Sequence, residues 1–171
     1  MIYYDKSSIT DNWLGYPPAD DSKILEKEKE LGLTLPKSYK DFLKASNGFR
    51  QISFFTGNLC PIGNVDWLSN TDSDFLNMFS EGDDINITDQ DYYNYSETQR
   101  SEFFRLEYLK NSIRISEWTD GSLVLLNPKI KFGEEFEAWV YANWYPGAKR
   151  FKSFEDLILD ALKETHELLK K

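Results

Sequence analysis

Cys60 and His166 are the only cysteine and the only histidine of the chain. They therefore bound the nucleophilic and soft-metal chemistry open to it. A thiolate nucleophile needs a base beside it, and Cys60 precedes Pro61 with no histidine close in sequence. Cys60 reads as a small apolar side chain. His166 reads as a surface residue near the end of a helix, where a cation complements the helix dipole. One thiol and one imidazole do not make a zinc cluster. Asp83, Asp84, Asp89 and Asp91 resemble part of a calcium loop, but the central glycine and twelfth-position glutamate are missing. Gly121 and Gly133 suit turns, not a phosphate loop. Paired carboxylates for glycoside chemistry would have many acids to draw on, with nothing to select a pair. These residues point to no metal, no cofactor and no catalysis.

Aromatic residues raise a different chemistry. Tyr92, Tyr93 and Tyr95 are interleaved with Asp89, Asp91 and Asn94. Tyrosine beside acid on an aperiodic segment is the composition of a contact surface. It is equally the composition of a loop tucked onto its domain by its rings. Charge sharpens the question. The chain has 171 residues and a net charge of −9. Residues 1–50 hold 8 acids and 8 bases, and residues 100–171 hold 12 of each. Residues 51–99 hold 9 acids and no lysine or arginine, so they carry the whole excess. A segregated negative field disfavours phosphate and nucleic acid there and suits a cationic partner. The plainer alternative is a solvated acidic loop.

The chain is 40% hydrophobic and 16% aromatic, too apolar for general disorder. Its length suits one domain. No apolar run approaches the roughly 18 residues of a membrane span. The first residues lack the pattern of a signal peptide, and a lone cysteine suits a reducing compartment. A cytoplasmic location is the expectation.

Several elements follow from pattern. Asp20-Asp21-Ser22 offers N-caps for a helix over 22–31, with Gly32 just past its end. Leu35-Pro36 opens a second helix, whose stripe is Leu35, Tyr39, Phe42 and Leu43. Residues 51–55 suit a strand, and Val65 to Leu68 an edge segment. Residues 73–79 and 96–106 suit short helices, whereas 85–95 has no clear period. Asp120-Gly121 predicts a hairpin between strands 112–118 and 123–127. Asn127-Pro128 and Gly133 mark the next connection. Residues 136–144 form a strand with Phe136, Ala138, Val140 and Ala142 on one face, and Trp139 and Tyr141 on the other. Ser153 caps a last helix whose apolar positions (Phe154, Leu157, Ile158, Ala161, Leu162, Leu168 and Leu169) must pack on the sheet. Two helices, an antiparallel sheet and a closing helix make an α+β domain.

A series of residues then suggests a family. Pro17-Pro18-Ala19, Ile24, Glu28 to Gly32, Leu35-Pro36, Tyr39, Phe42-Leu43 and Asn47-Gly48 follow in order. This series resembles the opening signature of the SUKH superfamily, the Smi/Knr-type domain. Trp118, Asp120-Gly121, Leu123 to Leu126, Trp139 and Ser153 to Leu157 resemble its later part. The resemblance covers about 17–50 and 107–165. It implies one domain over 1–171, with an acidic insertion at about 70–106. It also implies helices packed on a sheet and no catalytic residues. Glu28, Gly32, Pro36, Tyr39, Asn47, Gly48 and Gly121 read mostly as caps, turns and packing; Glu28 and Trp139 lining a shared groove is the alternative. Bacterial members of the superfamily are immunity proteins that neutralise toxins, often nucleases. Fungal members are scaffolds regulating cell-wall synthesis. The expectation is an immunity protein for a basic toxin domain, with a cell-wall regulator as the alternative. Asp83, Asp84, Asp89, Asp91 and Glu97 would be charge partners, and Tyr92, Tyr93 and Tyr95 anchors. No nucleic acid or membrane is expected as partner. Trp13 and Trp144 are candidates for a homodimer contact.

Overall fold

Pro36 links the first two helices of the computed structural model, which describes residues 13–53, 56–79, 87–144 and 147–170. Helix α1 spans Asp21–Leu31 and ends at Gly32, whose φ of 71° is left-handed. Helix α2 spans Lys37–Ala45, with Pro36 at its N-cap. The Glu28 carboxylate joins the two. It accepts the Leu35 N–H at 2.8 Å and pairs with Lys40 at 3.2 Å. Glu28 is thus a structural residue of the helix junction. The segment expected as a strand after α2 has residues 51–53 in an irregular path, and 54–55 lie outside the described residues.

A five-stranded antiparallel sheet follows, in the order β1-β2-β3-β4-β5. Strands β1 (Asp66–Trp67) and β2 (Ile113–Arg114) are short. Strand β3 is Ser122–Phe132, β4 is Glu135–Ala142 and β5 is Gly147–Phe151. The tight turn before β3 is as expected: Asp120 and Gly121 both have positive φ, 43° and 76°. Asn127-Pro128 does not end the strand. The register shifts between Asn127 and Lys131, so Pro128 sits where the ladder is interrupted and its missing N–H costs little. The chain reverses at Gly133 instead. Strand β5 carries no alternating pattern of its own; its pairing with β4 defines it.

The pleat divides β4 as expected. Phe136, Ala138 and Val140 join Ile24, Leu31, Tyr39, Leu43, Phe154 and Leu157 in one core. This face is covered by α1, α2 and α7 (Phe154–Leu168). The Ser153 hydroxyl caps α7 by accepting the Asp156 N–H. Trp139 and Tyr141 point the other way, into a second core with Leu68, Leu76, Tyr92, Leu106 and Leu109. Four short helices cover this face: α3 (Leu68–Thr71), α4 (Ser73–Leu76), α5 (Asp89–Tyr92) and α6 (Leu106–Lys110). The acidic stretch therefore supplies a third layer of the domain. Residues 96–105 are turns and irregular chain, not the expected helix; the helix starts at Leu106. No helix among the described residues is long and apolar enough to cross a membrane.

The closing helix departs from expectation in its second half. Phe154, Leu157 and Ala161 are buried, but Leu162, Leu168 and Leu169 are exposed. Helix α7 outruns the sheet that it covers.

Gly147 starts β5 at a φ of 107°. A Cβ there would run into the Ser101 carbonyl oxygen and the Phe104 ring. Gly147→Ala therefore destabilises the domain by roughly 2–3 kcal/mol in urea denaturation, combining backbone strain with a steric clash.

Candidate functional site

The second face of the sheet buries a charge. Glu137 and Asn127 are register partners on β4 and β3. Trp139 pairs with Arg150 of β5, and alternation places Glu137, Trp139 and Arg150 on one face. Glu137 has no exposed surface. Its Oε2 accepts the Tyr92 hydroxyl at 2.6 Å and the Asn127 amide at 2.7 Å. Its Oε1 accepts the Tyr95 hydroxyl at 2.7 Å. The Arg150 Nε stands 4.0 Å away, also fully buried. Arg150 donates through Nη1 to the Phe103 carbonyl and lies over the Tyr92 ring at 4.4 Å. Its Nε and Nη2 find no hydrogen-bond acceptor among the described residues, so Coulomb attraction and the ring hold that side of the cation. Burial, then the Glu137 charge, pushes the Tyr92 and Tyr95 hydroxyls well above the usual tyrosine range.

This cluster fastens the acidic stretch to the sheet. Helix α5 is capped by Thr88, whose hydroxyl accepts the Asp91 N–H at 3.2 Å and donates to the Asp91 carboxylate at 2.7 Å. The threonine cap satisfies one of the free N–H groups at the start of this short helix. Asp89 pairs with Arg105 at 2.5 Å. Tyr92 is fully buried, so its ring belongs to the core and not to the surface. Tyr95 is half-buried, its ring edge-on to Phe132. Tyr93 is 44% exposed, and Glu97 is exposed. Asp83 and Asp84 lie outside the described residues. Asp72, another acid of the stretch, accepts the Trp118 indole N–H at 2.7 Å and lies 3.2 Å from Arg114.

Beyond Tyr95 the chain runs along the edge strand. The Gln99 side chain accepts the Arg150 N–H at 2.6 Å and donates to the Arg150 carbonyl at 3.0 Å. The Ser101 carbonyl accepts the Ala148 N–H at 2.9 Å. A side-chain amide thus stands in for a neighbouring strand and blunts the edge of β5. Between this leg and α7 lies a groove of about 610 Å³. Glu97 borders it on one side, and Asp156, Asp160, Glu164 and Glu167 on the other. Lys149 crosses it, held by Asp160 at 2.5 Å and Glu164 at 3.3 Å, and Lys163 and Arg150 also line it. Among the described residues, Glu97, Asp156 and Glu167 have no ion-pair partner. A neighbouring groove of about 530 Å³ is lined by Tyr93, Tyr95, Lys152 and Asp156. The structure therefore brings Tyr93, Tyr95 and Glu97 to a groove wall and adds acids of α7. Those acids hid in the balanced charge count of the last third of the chain. Their i, i+4, i+8 and i+11 spacing from Asp156 was the signal available.

Cys60 is buried. Burial pushes its thiol up from 9.0 to about 11, with Arg114 opposing and Glu117 adding to the rise. His166 is exposed on α7. No group of three or more His, Cys, Asp and Glu side chains among the described residues is arranged to hold a metal ion. Trp139 is fully buried, in the second core.

These features define a three-layer α+β domain with a polar groove across a covered sheet edge. The family model of the SMI1 / KNR4 family (SUKH-1) matches residues 18–160, and the chain belongs to that family. The matched range runs across the acidic stretch. No curated protein matches the chain.

Glu137→Leu leaves Arg150 buried without its counter-charge and destabilises the domain by about 3–5 kcal/mol. Tyr95→Phe removes one hydrogen bond to the carboxylate and costs about 1–3 kcal/mol. Urea titration measures both, and hydrogen exchange localises the loosened amides to 88–101. Cys60 adds a pH dependence. Its folded pKa lies above its unfolded value, so its contribution is fully present below pH 9.0 and is lost as pH rises toward about 11. At pH 8 the thiol resists alkylation until urea unfolds the chain.

Proposed function

We propose that this chain is an immunity protein that binds and neutralises a basic toxin domain, with the groove over β5 as the centre of its docking face. The observation that carries this reading is the meeting of acids from two distant segments. Glu97 from the acidic stretch and Asp156 and Glu167 from α7 border one groove, and none has a cation among the described residues. Family membership supports the class of function. A nuclease toxin grips phosphate with a cationic cleft. An acidic face steers fast encounter with such a cleft and excludes its substrate. Tyr93 is the exposed aromatic beside the groove and serves as an anchor. Asp83, Asp84, Asp89 and Asp91 stay proposed charge partners, and Tyr92 and Tyr95 hold the segment that carries Glu97. Binding is the whole of the mechanism, and the protein works in the cytoplasm, where the toxin would act.

A second reading is a non-catalytic regulator or scaffold of the Smi/Knr type, the type for which the family is named. There the same face takes a host protein.

Co-expression with the effector domain encoded beside the gene tests the first reading: the chain restores growth and binds the effector. The combined Glu97→Gln, Asp156→Asn and Glu167→Gln variant slows association about tenfold at low ionic strength and flattens its salt dependence. Unchanged kinetics would move the docking face elsewhere. Failure of the unaltered chain to bind or protect would favour the regulator.

A further inference from the structure

A cavity opens on the face of the sheet that α7 covers. Along β4, Ala138 and Ala142 are buried, but Val140 between them is only half-buried. The pleat carries its register partner Lys149, and Phe151 two residues on, to the same face. Helix α7 adds Leu157, Asp160, Ala161 and Glu164, which stand at i, i+3, i+4 and i+7. Val140 and Ala161 are both short, and helix and sheet leave a gap of about 280 Å³ beside them. Val140, Phe151, Leu157 and Ala161 give it apolar walls, and the half-exposed Trp144 indole completes them. Ser53 and Thr56 also line it, their hydroxyls bonded to one another at 3.3 Å. Lys149, Asp160 and Glu164 border both this cavity and the acidic groove over β5, so the two adjoin. Two carboxylates share the one ammonium there, which leaves the rim of the cavity negative.

Size, wall chemistry and charge together select an occupant. The volume falls below the roughly 300–1,000 Å³ of small-molecule sites and suits a single large side chain. Apolar walls disfavour a charged tip, which would lose its water there. The negative rim favours bases beside the side chain that enters. We propose that the cavity takes one apolar side chain, aliphatic or aromatic, of the basic toxin domain. Lysine or arginine neighbours in the same toxin segment then reach Asp160, Glu164 and the acids of the adjoining groove. This proposal rests on the reading of that groove as the docking face and supplies its anchor. A side chain seated in a desolvated pocket governs dissociation, whereas the acids around it govern encounter. Trp144 lies against the seated side chain, which explains a large aromatic ring left half-exposed at this place.

Binding kinetics of the full chain with the effector domain encoded beside the gene test the anchor. Val140→Phe fills the cavity from the sheet and Ala161→Met fills it from the helix. Trp144→Ala strips its exposed wall, changes no buried residue, and keeps the test open should a filling variant lower the thermal midpoint. In the variants that keep the midpoint, dissociation speeds up about a hundredfold on filling and about tenfold for Trp144→Ala. The association rate and its salt dependence stay as they are, because no charge has changed. The triple acid-to-amide variant shows the opposite pattern, so the anchor and the docking face fail separately. Unchanged dissociation in a folded filling variant, or in Trp144→Ala where neither filling variant folds, overturns the anchor and leaves the docking face standing. An effector that does not bind the unaltered chain overturns both.

Discussion

One buried carboxylate sets the terms for half of this structure. Glu137 sits in the middle of β4 with no exposed surface. A lone carboxylate there would cost far more than a domain's net stability. It is tolerated because Tyr92, Tyr95 and Asn127 hydrogen-bond it and Arg150 neutralises it. Each of those partners comes from a different place in the chain. Meeting the need of one group therefore fixes helix α5, the leg after it, the bulged part of β3 and the edge strand β5. Truncating any one partner leaves polar groups unpaired in a low-dielectric layer.

The same constraint changes the meaning of the acidic stretch. Its surplus charge looked like an appendage on a balanced frame. In the structure its apolar members are the lid of the second core, and several of its acids are structural. Asp72 holds Trp118 and Arg114, Asp89 holds Arg105, and Asp91 accepts the hydroxyl of Thr88, the cap of α5. The negative face is shared with α7, and the sheet edge between them is sealed by Gln99. A surface held this firmly is pre-organised, which lowers the entropic cost of binding.

Much of the first face was legible. The helix at 21–31 has a glycine stop, α2 has its proline start and its stripe, and the Asp120-Gly121 turn has its own dipeptide signal. The division of Phe136 and Ala138 from Trp139 and Tyr141 follows from the pleat. The second face was harder to read. Its helices are four or five residues long, too short for a periodicity to show. Strand β5 is set by its pairing with β4. Pro128 looked like a break because a bulge absorbs it. Glu137 itself reads as an outward polar residue in an alternating strand, and only a second layer turns it inward.

The sequence alone determined the domain class, the family pattern, the first core and the place of the surplus charge, because these depend on local spacing and on composition. Tertiary structure decided which tyrosines serve the core and which face solvent, that α7 shares the acidic groove, and that its far flank is left uncovered. Those outcomes rest on residues 40 to 70 positions apart, such as Tyr92 bonded to Glu137, and Glu97 bordering one groove with Asp156 and Glu167. No local pattern encodes them; the need to satisfy a buried charge and to cover a sheet edge does.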